Sequence, residues 1–263
     1  MLKTRLIPCL LLQNGFLVRS ETFSIHQVVG YPVHEVARFN QWAVDELIYL
    51  DISRDENYDL RRDDHAVKGL TSMLDILSAI AATCFMPLTF GGRIRTIEDM
   101  RVRFACGADK ITINSAAVTT PDLITEGARQ FGSQAIVVSI DVRRHDDGRC
   151  EVFTHGGATA TGMDPVTWAR EAERLGAGEV FLNSIDRDGT GRGYDVALVR
   201  SVAEAVRIPV IACGGVGRYE DFAKGVLEGK AAAVSAANIF HFKELSDRNA
   251  KRAMRKAGLD VRL

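Results

Sequence analysis

The chain has 263 residues, 46% hydrophobic and 25% charged, a balance that suits a folded globular protein and excludes a disordered one. Lys plus Arg (33) against Asp plus Glu (34) leaves a net charge of −1, which gives no electrostatic footprint for nucleic acid or an anionic membrane. The sequence shows neither a signal peptide nor an apolar run of about 18 residues, and its five scattered cysteines form no C-x-x-C pair, so a reducing cytoplasm is expected rather than a disulfide framework or a zinc site.

Short apolar runs alternate with amphipathic ones. Strands are predicted at Arg5–Leu12, Glu46–Ile52, Leu88–Phe90 and Lys110–Asn114, with helices at Val33–Trp42, Leu70–Ala82, Ile97–Ala105 and Pro121–Phe131. The second half continues with strands at Ala135–Val142, Glu179–Ile185, Val210–Cys213 and Ala232–Ala236, and helices at Pro165–Leu175, Val196–Val206 and Glu220–Leu227. Continuous β-branched runs suit a parallel sheet covered by helices on both faces. Eight such units predict an α/β fold, a (β/α)8 TIM barrel, with an open doubly wound sheet as the rival. No linker divides the chain, so 1–263 reads as one domain. Ser53–Lys68, with nine charged residues in sixteen, reads as an insertion. It is either a solvated surface segment or one that reaches over the active face. Asp147-Gly148, after the fifth strand, reads as a hairpin turn.

The two halves resemble each other. VDELIYLDI at Val44–Ile52 matches AGEVFLNSID at Ala177–Asp186, and the eight residues from Pro87 match those from Pro209. An internal half-barrel repeat favours a closed barrel over an open sheet.

The repeat also organises the candidate chemistry. Gly91-Gly92 and Gly214-Gly215 follow the third and seventh strands, and Asn114-Ser115 and Ala237-Asn238 follow the fourth and eighth. They read as two anion cradles for a ligand with phosphate at both ends, or as plain tight turns. Asp141 ends the fifth strand on the face where barrel chemistry collects, as a general acid or base or as a structural hydrogen-bonding group. Its repeat partner is Leu11, a hydrocarbon, so no two-carboxylate mechanism is expected. Asp51 and the run Asp186-Arg187-Asp188 also sit at strand ends, the run either pairing internally or facing the mouth. The six histidines form no metal set, and His155 and His241 read as loop or core residues. Arg5, Glu46, Lys110 and Glu179 stand at strand beginnings with alternating signs, which suits a salt-bridge ring on the opposite face.

These motifs resemble those of the cyclase subunit of imidazole glycerol phosphate synthase, the ammonia-using partner of a glutaminase in histidine biosynthesis. The resemblance runs through RLIPCL, DELIYLDI, GADKITINSAAV, FGSQAIVVSID, THGG, DRDGTGRGYD, IFHF and the closing VRL. It implies a barrel whose C-terminal mouth binds a bis-phosphorylated substrate without a cofactor. It implies that Arg5, Glu46, Lys110 and Glu179 match a gate for ammonia from a docked class I glutaminase. Asp109 and Gln134 match positions on that docking face.

The mouth departs from the family pattern. Leu11 stands in place of one of two catalytic aspartates, while Asp141 matches the other. Arg19 replaces a lysine, Arg93 replaces a third glycine, crowding one phosphate turn while adding a guanidinium able to bind an anion itself, and Asn183, Cys213 and Asn238 stand where Thr or Ser is usual. IPCLLL near the start resembles a paralogous branch that serves glycosyl amidation in surface-polysaccharide synthesis, where ammonia passes to a separate sugar amidotransferase. The expected function is therefore a cyclase-like, ammonia-conducting subunit. A genuine cyclase of histidine biosynthesis and a non-enzymatic regulator of the glutaminase are the alternatives.

Overall fold

The computed structural model of the protein describes residues 3–41, 44–53, 72–242 and 246–262. Apart from Ser53, the charged insertion predicted at 53–68 lies outside the described residues.

Among the described residues twelve strands form: β1 (Arg5–Gln13), β2 (Phe16–Glu21), β3 (Ile25–Gly30), β4 (Leu47–Asp51), β5 (Leu88–Gly91), β6 (Lys110–Ile113), β7 (Ile136–Arg144), β8 (Cys150–Thr154), β9 (Thr159–Ala160), β10 (Glu179–Ser184), β11 (Val210–Cys213) and β12 (Ala233–Ala236). Eight of them, β1, β4, β5, β6, β7, β10, β11 and β12, pair in parallel in that order, and β12 pairs back onto β1. That last pairing closes the sheet into a (β/α)8 barrel and removes the open-sheet rival. All eight strands coincide with predicted runs to within a few residues.

Each strand is apolar on both sides because each side meets a different core. Ile7, Cys9 and Leu11 of β1, with Ile48, Val137, Phe181, Ile211, Cys213 and Ala233, form a cluster inside the barrel. Residues of the other parity, such as Leu6, Leu10, Leu47, Tyr49, Val180 and Leu182, belong to the larger core between strands and helices. A period of two sorts the same strand into both cores.

The helices are α1 (Pro32–Gln41), α2 (Met73–Thr83), α3 (Ile97–Ala105), α4 (Ser115–Thr119), α5 (Asp122–Phe131), α6 (Pro165–Leu175), α7 (Val196–Ala203), α8 (Tyr219–Leu227), α9 (Ile239–Phe242) and α10 (Ser246–Lys256). Ser72 with Asp75 and Thr96 with Asp99 form capping boxes that set the starts of α2 and α3. Asp164 caps α6, with Pro165 at its first position. Among the described residues, no helix is long and apolar enough to cross a membrane.

Besides the short helices α4 and α9, the β2–β3 hairpin and α10 lie outside the predicted alternation. β2 and β3 fold as a hairpin on the end of β1, entered through Asn14 (φ 50°) and Gly15 (φ 81°). Two successive left-handed residues suit the twist of a two-residue hairpin, and Asn-Gly supplies them at low cost. α10 closes the shell with few apolar groups: its buried face carries Asp247 and Lys251 beside Ala250 and Met254. Lys251 Nζ lies 2.9 Å from the Asp45 carboxylate, which accepts the Leu6 amide with its other oxygen. The predicted hairpin at Asp147-Gly148 forms between β7 and β8, with Gly148 at φ 85°.

Candidate functional site

The barrel presents two polar ends. At its floor, where the strands begin, Arg5 Nη1 lies 2.6 Å from Glu46 Oε1 and 2.8 Å from Glu179 Oε1. Lys110 Nζ lies 3.1 Å from Glu46 Oε2 and 3.1 Å from Glu179 Oε2. Each cation thus touches both anions, and each carboxylate gives one oxygen to the arginine and the other to the lysine. The result is a closed ring of zero net charge across the barrel axis. β1, β6 and β10 each open on one of these residues, and Glu46 immediately precedes β4. Asp109 and Gln134 lie exposed on the same face. Asp109 also accepts the Leu88 amide at 2.8 Å, tying the loop before β6 to β5.

Above the ring the interior carries buried hydroxyls. Thr89, Thr112, Ser139 and Ser235 are all buried, and Thr112 Oγ1 and Ser235 Oγ have no hydrogen-bond partner among the described residues. Cys9 and Cys213 hydrogen-bond to each other there. That bond, with burial, raises the Cys9 thiol well above its ordinary range, so Cys9 offers no thiolate.

At the mouth, Asp141 Oδ2 accepts Asn114 Nδ2 at 2.7 Å. Burial raises the Asp141 carboxyl to about 7, with a second contribution from the charge of Asp188. Asp188, also raised by burial, accepts Ser20 Oγ at 2.6 Å. The tip of the β2–β3 hairpin fastens to it: Phe23 N donates to its carboxylate at 3.4 Å and Thr22 N to its backbone oxygen at 3.0 Å. Two buried carboxylates stand together, because Asp188 follows β10 and β10 pairs with β7, which carries Asp141. On the β1 side, Leu11 pairs with Val18 and Leu50 and makes the wall apolar, as the repeat implied. The carboxylates are therefore on one side of the mouth rather than at opposite strand ends. The amide oxygens of Asn114, Asn183 and Asn238 are buried without a partner among the described residues, so the unused polar atoms near the acids are acceptors. Arg19 lies on β2, where its Nε donates to Gln27 at 2.6 Å across the hairpin.

The raised carboxyl gives Asp141 a stability signature. Its folded state prefers the protonated form, so its favourable contribution is full below the ordinary aspartate range, near pH 4, and is lost as pH rises toward 7. Asp141→Asn is therefore expected to match the wild type in unfolding free energy near pH 4 and to exceed it at pH 8. Urea unfolding at the two pH values measures this, and a variant less stable than wild type at pH 8 contradicts it.

The anion turns need one correction of alignment. Gly91 is the last residue of β5, as Cys213 is of β11, so the matching turn residues are Gly92-Arg93 and Gly214-Gly215. All four have positive φ. Asn114 and Ser115 stand beside the first turn, but Ser115 Oγ accepts the His155 amide at 2.9 Å. Ala237 and Asn238 follow β12, and Asn238 Nδ2 donates to Ser20 O at 2.7 Å. Asp51 lies buried under the first turn. Asp186-Arg187-Asp188 does not pair within itself: Asp186 faces Arg143 and the Arg144 amide, Arg187 Nη1 donates to Arg192 O, and Asp188 takes Ser20. His155 is an exposed loop residue, and burial lowers His241 to about 4, which keeps it neutral. Among the described residues no cluster of His, Cys, Asp and Glu has the arrangement of a metal site, and all five cysteines are free thiols.

The fold and this placement of polar groups agree with one comparison. Residues 5–246, nearly the whole barrel, match the family described as histidine biosynthesis protein, and the chain belongs to that family.

Proposed function

We propose that this protein is the cyclase-like barrel subunit of a glutamine amidotransferase complex. It takes ammonia from a class I glutaminase docked on the floor, in a one-to-one heterodimer, and delivers it for amidation of a surface-polysaccharide sugar by a separate sugar amidotransferase. The observation that carries the reading is the contrast between the two ends. The floor holds a complete four-charge ring, while Leu11 removes one acid from the mouth.

The ring bars ions and water from the floor, and one swinging lysine opens it. Lys110 suits that role because its compact ammonium sits on a flexible stem, whereas the guanidinium of Arg5 bridges both glutamates as a fixed fork. The buried hydroxyls of Thr112 and Ser235 supply hydrogen-bonding stations for a small neutral molecule such as ammonia between floor and mouth. Phe85, 87% exposed in the connection between α2 and β5, adds an apolar contact on the face where Asp109 and Gln134 lie. At the mouth, the left-handed turn at Gly214-Gly215 suits a phosphorylated small molecule. One observation favours the genuine cyclase instead: Asp141 at about 7, beside Asp188, is poised for proton transfer.

Association tests the reading. The protein co-expressed with a class I glutaminase from the same genome is expected to elute as a one-to-one complex in size-exclusion chromatography. Two separate monomer peaks at micromolar concentration would remove the docked-glutaminase reading.

A further inference from the structure

The two halves of the barrel build the same turn and finish it differently. Aligning Pro87 with Pro209 places Gly92 on Gly214 and Arg93 on Gly215. The backbone agrees: Gly92 and Arg93 have φ of 105° and 54°, Gly214 and Gly215 of 92° and 105°. The packing beneath agrees as well. A Cβ on Gly92 would lie 2.2 Å from Asp51 O, and one on Gly214 would lie 2.7 Å from Ser184 O. Asp51 and Ser184 therefore hold the same place under their turns, as the alignment of Glu46 with Glu179 also requires.

The first turn carries its own charge, Arg93, whereas the arginine nearest Gly215 is Arg187 of a neighbouring loop, whose Cβ would lie 2.9 Å from a Cβ on that glycine. Arg93 occupies a left-handed backbone position that is unfavourable for a residue with a Cβ and free for glycine. Its Nε lies 3.7 Å from Asp51 Oδ2, and its Nη2 3.5 Å from Ser53 O. The other oxygen of Asp51 accepts Ser53 N at 3.0 Å and the Ser53 hydroxyl. The Asp51 side chain has no exposed surface. In the second half the equivalent pair is Ser184 and Gly215, both neutral, so those two positions form no ion pair across that turn. An anion arriving at the first turn meets a buried carboxylate already matched by Arg93. Drawing the guanidinium away to bind that anion would take from the buried carboxylate a cation that it holds, which is costly in a buried site.

We propose that the mouth takes a ligand bearing a single phosphate, held at the Gly214-Gly215 turn, and that the Arg93–Asp51 ion pair closes the opposite end to a second one. This rests on the reading of the mouth as a phosphorylated-ligand site. The remainder of such a ligand meets the acceptor oxygens of Asn114, Asn183, Asp141 and Asp188, so it presents hydroxyl or amine donors, as a sugar phosphate does.

Inorganic phosphate is the probe, titrated calorimetrically into the full-length protein and into the double variant Arg93→Gly/Asp51→Ser, which copies the second half into the first. One phosphate per wild-type chain and two per variant chain are expected, with thermal unfolding used to show that the variant is folded. Two phosphates per wild-type chain overturn the proposal without any variant, and so does a folded variant that still binds one. If neither protein binds phosphate, the reading of the mouth as a phosphorylated-ligand site falls together with the proposal.

Discussion

Incubated with ammonium salts and the bis-phosphorylated intermediate of histidine biosynthesis, the purified protein is expected to form no measurable imidazole glycerol phosphate. Cyclisation moves protons at two places on the substrate. Here both buried acids, Asp141 and Asp188, stand on one side of the mouth, and the other side is Leu11 packed with Val18 and Leu50. Losing one positioned proton-transfer group costs about 10²–10⁴ in rate. The Arg93–Asp51 pair adds a binding loss at one phosphate end. Leu11→Asp alone is expected to restore little, because a carboxyl placed in that apolar cluster has no described cation beside it and burial holds it protonated. Product release followed by absorbance measures this, and wild-type turnover of about one per second, within the usual enzyme range, would establish the cyclase alternative instead.

Lys110→Met is expected to be the most destabilising change at the floor. It leaves Glu46 and Glu179 facing each other with Arg5 alone between them. Removing one partner of a buried ionic group costs about 3–5 kcal/mol. The lysine side chain keeps 18% of its surface exposed, so about 2–3 kcal/mol is the expected loss here. Adding Glu179→Gln restores charge balance and is expected to recover most of it, which a double-mutant cycle in urea reads directly. Equal stability of Lys110→Met and wild type would mean that the ring is solvated rather than a structural closure.

The strands and most helices were legible because the barrel repeats one physical pattern: apolar runs buried on both faces alternating with amphipathic helices. The half-barrel repeat added the closure. What stayed hidden had weaker or different signals. Asn14-Gly15 is a strong hairpin signal, but it lies within a long apolar stretch, Leu6–Val18, that reads as one strand and its exit. α10 escaped because its buried face carries Asp247 and Lys251, and a helix anchored by an ion pair to Asp45 has almost no apolar period to find. At the site, the sequence placed the ring residues at strand beginnings, but only three dimensions reveal that each cation bridges both anions. The nearness of Asp188 to Asp141 could not be read from a separation of 47 positions, since it depends on the β7–β10 register. The role of Asp51 under Gly92 was hidden for the same reason, while Arg93 already stood out as a side chain where the other half has glycine.

The central claim is that the floor of this barrel engages and activates a glutaminase while the mouth does no cyclisation. The most direct measurement is glutamine hydrolysis by the partner glutaminase as the barrel protein is titrated in, with Lys110→Met as control. The account predicts that hydrolysis rises and levels off at one equivalent of barrel, and that the variant shifts or blunts the rise. A flat response, with hydrolysis unchanged from none to several equivalents, would contradict it.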